Sequence, residues 1–101
     1  MSVTMQRSET DLLIRLEDKV NVTSAEELKS LLLEGLVSGR DLYLDLERVE
    51  EIDVTVMQLL WAAGREADRN GTRMVTRVSE AAAVAARELG FERFPGTAVQ
   101  E

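Results

Sequence analysis

The chain contains no histidine and no cysteine. Ser-His-Asp and Cys-His catalysis are therefore excluded, as are imidazole or thiolate zinc sites, disulfides and thiol redox chemistry. Aromatic residues are scarce, at 4%, which leaves few platforms on which bases could stack. Positive charge is in the minority: 12 Lys and Arg face 19 Asp and Glu, for a formal charge of −7. Such a surface repels phosphate backbones and anionic lipid heads, so no nucleic-acid partner is expected. Long apolar runs are missing too. The longest charge-free stretch, Val54 to Gly64, is eleven residues, short of the ~20 that span a bilayer. The opening Met1-Ser2-Val3-Thr4-Met5-Gln6-Arg7 has no basic segment followed by an apolar one, so no secretory signal and no direct membrane insertion are expected. The expected location is the cytoplasm. The six glycines are scattered, and no phosphate-cradling loop is formed from them.

What remains is the balance of one ordinary globular domain: 101 residues, 45% hydrophobic and 31% charged. No repeat, linker or low-complexity tract divides it. The expectation is a single domain over 1–101, with a core from about 11 to 94 and a flexible tail over 95–101 after Pro95.

Alternation supplies the strands. Val3 to Arg7 reads as a weak edge strand, and Asp11 to Glu17 as a firmer one through Leu12, Ile14 and Leu16. A polar turn is expected over Asp18 to Val22. Ser24-Ala25-Glu26-Glu27 fits a capping box opening a helix, along which Leu28, Leu31, Leu32 and Leu36 form one stripe up to Ser38-Gly39. Asp41 to Leu46 alternates as a strand, and Glu47 to Asp53 reads as a short acidic connection. A long helix follows over Val54 to Asn70, closed by Gly71, then a strand over Thr72 to Val78. Ser79 caps a third helix, Glu80 to Leu89, and Phe91 and Phe94 are expected to fold back on the core. This order predicts an α/β fold, a mixed four- to five-stranded sheet with helices packed on it, parallel after the first hairpin.

The stretch from Asp53 to Gly64 carries the most information. At a 3.6-residue period Val56, Leu59, Leu60, Ala63 and Ala67 share one face, while Met57, Trp61 and Gly64 lie on another. A helix apolar around most of its surface is either sunk in a core or presents a docking face, and Met57 and Trp61 fit both readings. Thr55 with Gln58 three residues on fits a second capping box. Its hydroxyl is thus a structural cap or, at a helix N-terminus, a phosphoryl acceptor.

The order of elements, the close of a strand at Leu44-Asp45-Leu46, the approach through Val49 and Ile52 to Asp53, and the helix opening after it resemble the STAS domain. That domain occurs in bacterial anti-sigma factor antagonists and in sulphate-transporter C-terminal regions. The resemblance runs from about Asp11 to Phe94 and is to the stand-alone, single-domain type. The family signature, Asp-Ser-Ser-Gly or Asp-Ser/Thr-Ala-Gly, is matched here by Asp53-Val54-Thr55-Val56. Val54 replaces the first hydroxyl residue, and Val56 replaces a glycine that permits close approach of a partner. Gln58-Leu59-Leu60 and the Ala-rich turn to Asn70-Gly71 are similar to STAS proteins encoded among chemotaxis or signalling components.

The resemblance implies a non-enzymatic regulator that works by protein–protein contact in a bacterial partner-switching pathway. It implies Thr55 as the residue phosphorylated by a serine/threonine kinase, and a kinase or anti-sigma factor of the histidine-kinase ATPase fold as partner. Asp53, Val54, Val56, Met57 and Trp61 would form the partner-binding surface, in a monomer or weak dimer. The alternative is a small STAS subunit of a membrane lipid- or anion-transport ATPase complex, with Thr55 only a cap.

Other constellations carry less. Asp41, Asp45, Glu47, Glu50, Glu51 and Asp53 include oxygen donors suited to Mg²⁺, but the run reads as a solvated face. A receiver domain using Asp45 would need a late lysine, and the lysines are Lys19 and Lys29. Arg65, Arg69, Arg73 and Arg77 read as surface arginines pairing with acidic neighbours. No catalytic residue, metal ligand or cofactor site is assigned.

Overall fold

The computed structural model describes residues 2–20 and 22–100. Its elements run β1 (Ser2–Arg7), β2 (Asp11–Val20), α1 (Val22–Ser38), β3 (Asp41–Ile52), α2 (Val54–Asn70), β4 (Met74–Val78), α3 (Glu80–Glu88) and β5 (Thr97–Gln100). The strands form one mixed five-stranded sheet in sequential order. β1 is antiparallel to β2, and each later pair is parallel. This is the predicted α/β architecture.

Sequential order with right-handed crossovers places all three helices on one face of the sheet. The register agrees. Leu12, Leu42 and Met74 lie side by side, as do Ile14, Leu44 and Thr76, and all six are buried. These rows meet Leu28, Leu32 and Leu36 of α1, Val56, Met57 and Leu60 of α2, and Ala82 and Ala86 of α3 in one core. Thr76 is the buried polar member, and its hydroxyl donates to the Pro95 carbonyl at 3.1 Å. Phe94 closes the core with Phe91 against it, as expected.

Four expectations give way. Asp18 to Val20 is not a turn: β2 continues through it, with Asp18 at φ +65° and register shifts before and after. Asn21 of that expected turn lies outside the described residues. β3 likewise runs on through Glu47 to Ile52, because Val49 and Ile52 are drawn into the core while the acidic residues between them stay at the surface. α1 begins at Val22, so Ser24 sits within its first turn and does not cap it. In place of a flexible tail, Thr97–Gln100 pair with Val75 to Val78 of β4; Glu101 lies outside the described residues.

β1 is tied to α1 by Arg7, whose Nη2 donates to Glu34 Oε1 at 2.6 Å and whose Nε donates to Oε2. The hydrogen bond from Arg7 holds the Glu34 carboxyl below its ordinary range, against a smaller desolvation effect. A depressed folded-state value means that the pair's contribution is present at neutral pH and is lost as pH falls through that value. Glu34→Gln is therefore expected to lower the urea midpoint at pH 7, with a smaller gap to wild type at a second, acidic pH at which the carboxylate is protonated. An equal gap at both pH values would show that ionisation of Glu34 contributes nothing to stability.

Candidate functional site

Because β2, β3 and β4 are parallel, the segments leaving their carboxyl ends lie along one edge of the sheet, where ligands and partners of open α/β sheets collect. α2 starts there. The Asp53 N–H donates to the Val20 carbonyl at 2.9 Å, which fixes the turn out of β3 against the end of β2. Asp53 itself is the N-cap. Its backbone is extended (φ −85°, ψ 151°), and its Oδ1 accepts from the Thr55 N–H at 2.7 Å. The first helical bond runs from the Met57 N–H to the Asp53 carbonyl.

This corrects the capping box expected at Thr55 and Gln58. Thr55 is the second helical residue, and Asp53 already supplies the capping acceptor. No hydrogen bond among the described residues involves the Thr55 hydroxyl. Thr55 is half-buried on the first turn of a 17-residue helix, the turn whose amides lack intrahelical partners.

The predicted partner surface divides. Val54 is 41% exposed, and Asp53 and Thr55 are half-buried at the helix start. Val56 and Met57 are fully buried. They offer no side-chain surface to a partner, because the face of α2 that turns toward the sheet includes both of them with Leu60, Ala63, Gly64 and Ala67. For Met57 the core reading holds over the docking one. Trp61 is half-buried, but six residues place it about 9 Å along the axis and about 120° around it from Thr55. The two therefore flank opposite sides of the solvent face of α2. Trp61 keeps company with chain-distant residues instead: the Arg93 guanidinium lies 5.8 Å from the centre of its ring.

The acidic residues weighed as Mg²⁺ ligands are dispersed. Asp41 Oδ1 accepts from the Arg73 N–H at 2.9 Å, Asp45 pairs with Arg15 at 3.0 Å, and Glu47 pairs with Arg77 at 3.3 Å. Among the described residues no three acidic groups gather as a metal set, and no helix is long and apolar enough to cross a membrane.

One surface had no signal in the sequence. The sheet face without helices carries Leu13, Tyr43 and Val75 in one register row and Arg15, Asp45 and Arg77 in the next. Together they line a shallow cavity of about 460 Å³. The alternation that marked the core face also marks this one, but nothing local says that it stays uncovered.

Comparison with known proteins places this geometry. A family model of the STAS domain matches residues 2–100. No curated protein sequence matches. The unphosphorylated form of the anti-sigma factor antagonist SpoIIAA superposes with a TM-score of 0.79 at 13% identity, covering 99% of this chain and 88% of that one. A single-substitution variant of RsbS from Moorella thermoacetica gives 0.76 at 20% identity, covering 100% and 88%.

Proposed function

The chain belongs to the STAS domain family, and on that premise we propose that it is a non-enzymatic, partner-switching regulator whose phosphoacceptor is Thr55. The observation that carries this reading is the division of labour at the start of α2. Asp53 caps the helix, so the Thr55 hydroxyl is not committed to capping. A phosphoryl group there would be stabilised by the helix dipole and free amides. It would also add a charge of about −1.5 to −2 beside the Asp53 carboxylate and the exposed Val54. A partner seated on that edge would meet like charge and lose its apolar contact, with the core left untouched. The superposition on an anti-sigma factor antagonist in its unphosphorylated form supports the same reading. The partner proposed is a serine/threonine kinase or anti-sigma factor of the histidine-kinase ATPase fold, met in the cytoplasm as part of a bacterial signalling system.

Affinity capture with wild type and Thr55→Asp tests this directly, with captured proteins identified by mass and Thr55 examined for phosphate. The expected result is a kinase-fold protein held by wild type, bound at least about tenfold more weakly by Thr55→Asp, a loss of about 1.4 kcal/mol, and able to phosphorylate Thr55. A transport ATPase held equally by both proteins, with Thr55 unmodified, would overturn the proposal in favour of a transporter subunit.

A further inference from the structure

The far half of α2 borders a second concavity, away from the Thr55 edge. It is a pocket of about 400 Å³ lined by Trp61, Asp68, Thr72, Arg73, Met74, Arg93, Phe94 and Gly96. Two stretches build it: α2 with the turn into β4 and its first residue, and residues 93–96 between α3 and β5.

Two arginines line it. In this acidic protein Arg7, Arg15, Lys19, Arg48, Arg69 and Arg77 each reach a carboxylate. Arg73 and Arg93 both line the pocket and, like Lys29, Arg40, Arg65 and Arg87, form no ion pair among the described residues. Arg93 lies over the Trp61 ring, an arrangement that uses its charge against the aromatic face and leaves its N–H donors available. The Trp61 Nε1–H is shielded from solvent and has no acceptor among the described residues. An unmet donor of this kind is costly, and a bound acceptor that reached it would relieve that cost. The nearly buried Phe94 and Met74 supply a small apolar part of its lining, which is otherwise mostly polar.

We propose that this pocket binds a small organic carboxylate, its oxyanion between Arg73 and Arg93 and its apolar body on Trp61, Met74 and Phe94. Charge arithmetic selects the class. Two guanidiniums and the Asp68 carboxylate on the rim sum to +1, which complements a monoanion and disfavours a phosphate dianion. Planar guanidiniums also match the fork of a carboxylate. This site is independent of Thr55, so its success or failure leaves the phosphoacceptor proposal standing.

Trp61 is the single tryptophan, so its fluorescence and its one indole N–H resonance report on the pocket. Titration with benzoate is expected to give a saturable change in both, with a Kd at or below about 1 mM. Benzamide and inorganic phosphate should bind at least about tenfold more weakly. Arg73→Gln/Arg93→Gln should abolish the benzoate response while keeping the wild-type circular dichroism spectrum, and Thr55→Asp should leave it intact. No saturable change with benzoate, or equal binding of benzamide, would overturn the proposal. If the double variant proves unfolded, Arg73→Gln alone, in which the Arg93–Trp61 contact is retained, should still weaken benzoate at least about tenfold.

Discussion

Met57→Ala is expected to destabilise the protein by about 2–5 kcal/mol, the usual cost of emptying a buried methionine site. Met57 is fully buried between the helix layer and the sheet, in the same cluster as Val56 and Leu60. Truncation would remove both the transfer energy and the packing of its neighbours. Against the ~5–15 kcal/mol that holds a small domain together, the change is large. Val54→Ala, three residues earlier and exposed, is expected to stay within about 0.5 kcal/mol of wild type. Met57→Leu, which conserves volume, should cost less than about 1.5 kcal/mol. Urea unfolding followed by far-ultraviolet circular dichroism measures all three. A Met57→Ala midpoint equal to that of wild type would mean that Met57 does not pack in the core, and would return it to the partner surface. The contrast matters functionally: a lost partner in Met57→Ala reports unfolding, whereas a lost partner in Val54→Ala reports contact.

The same pair of residues shows where sequence and structure part. The bounds of α2 were legible because a strong periodicity meets Asp53 at one end and Asn70-Gly71 at the other, and Val54–Asn70 is the observed helix. Which side of α2 is buried was not legible, since apolar residues occupy most of its first three turns. Three-dimensional packing chose Met57 and Gly64 over Leu59 for the core face. The cap was ambiguous because Asp and Thr are both good N-cap residues. The bond from the Asp53 N–H to the Val20 carbonyl, a contact between segments far apart in sequence, decides where the turn falls. The second half of β3 is hard to see in the sequence because it alternates imperfectly and is crowded with charge. Those charges are placed across from partners on β2, Glu17 with Arg48 at 3.7 Å and Lys19 with Glu51 at 4.0 Å. Arg69 and Arg77 pair with Glu66 and Glu47, as expected of surface arginines among acidic neighbours, while Arg73 lines the Trp61 pocket. That pocket joins residues up to 35 positions apart, from Trp61 to Gly96, and no local pattern announces such a meeting.

The hinge into the last strand carries the second large effect. Gly96 has φ +73°, and a methyl group added there would overlap the Met74 carbonyl oxygen, with Met74 Cβ 3.2 Å away. Gly71 has nearly the same φ, +72°, but open space around it. Gly71→Ala therefore meets only the left-handed backbone penalty of about 1–2 kcal/mol. Gly96→Ala meets that penalty and a steric one of about 1–3 kcal/mol, and the obstacle is main chain, which cannot swing aside as a side-chain end can. Relief requires moving residue 96 off β4, which strains the Thr76 hydroxyl bond to the Pro95 carbonyl and the pairing of Val75 with Thr97. The expected result is a loss of about 2–5 kcal/mol for Gly96→Ala, at least about 1 kcal/mol more than for Gly71→Ala. Hydrogen-exchange protection should fall selectively along the β4–β5 ladder. Equal losses in the two variants, with β5 amides still protected in Gly96→Ala, would show that β5 is not anchored through this close approach.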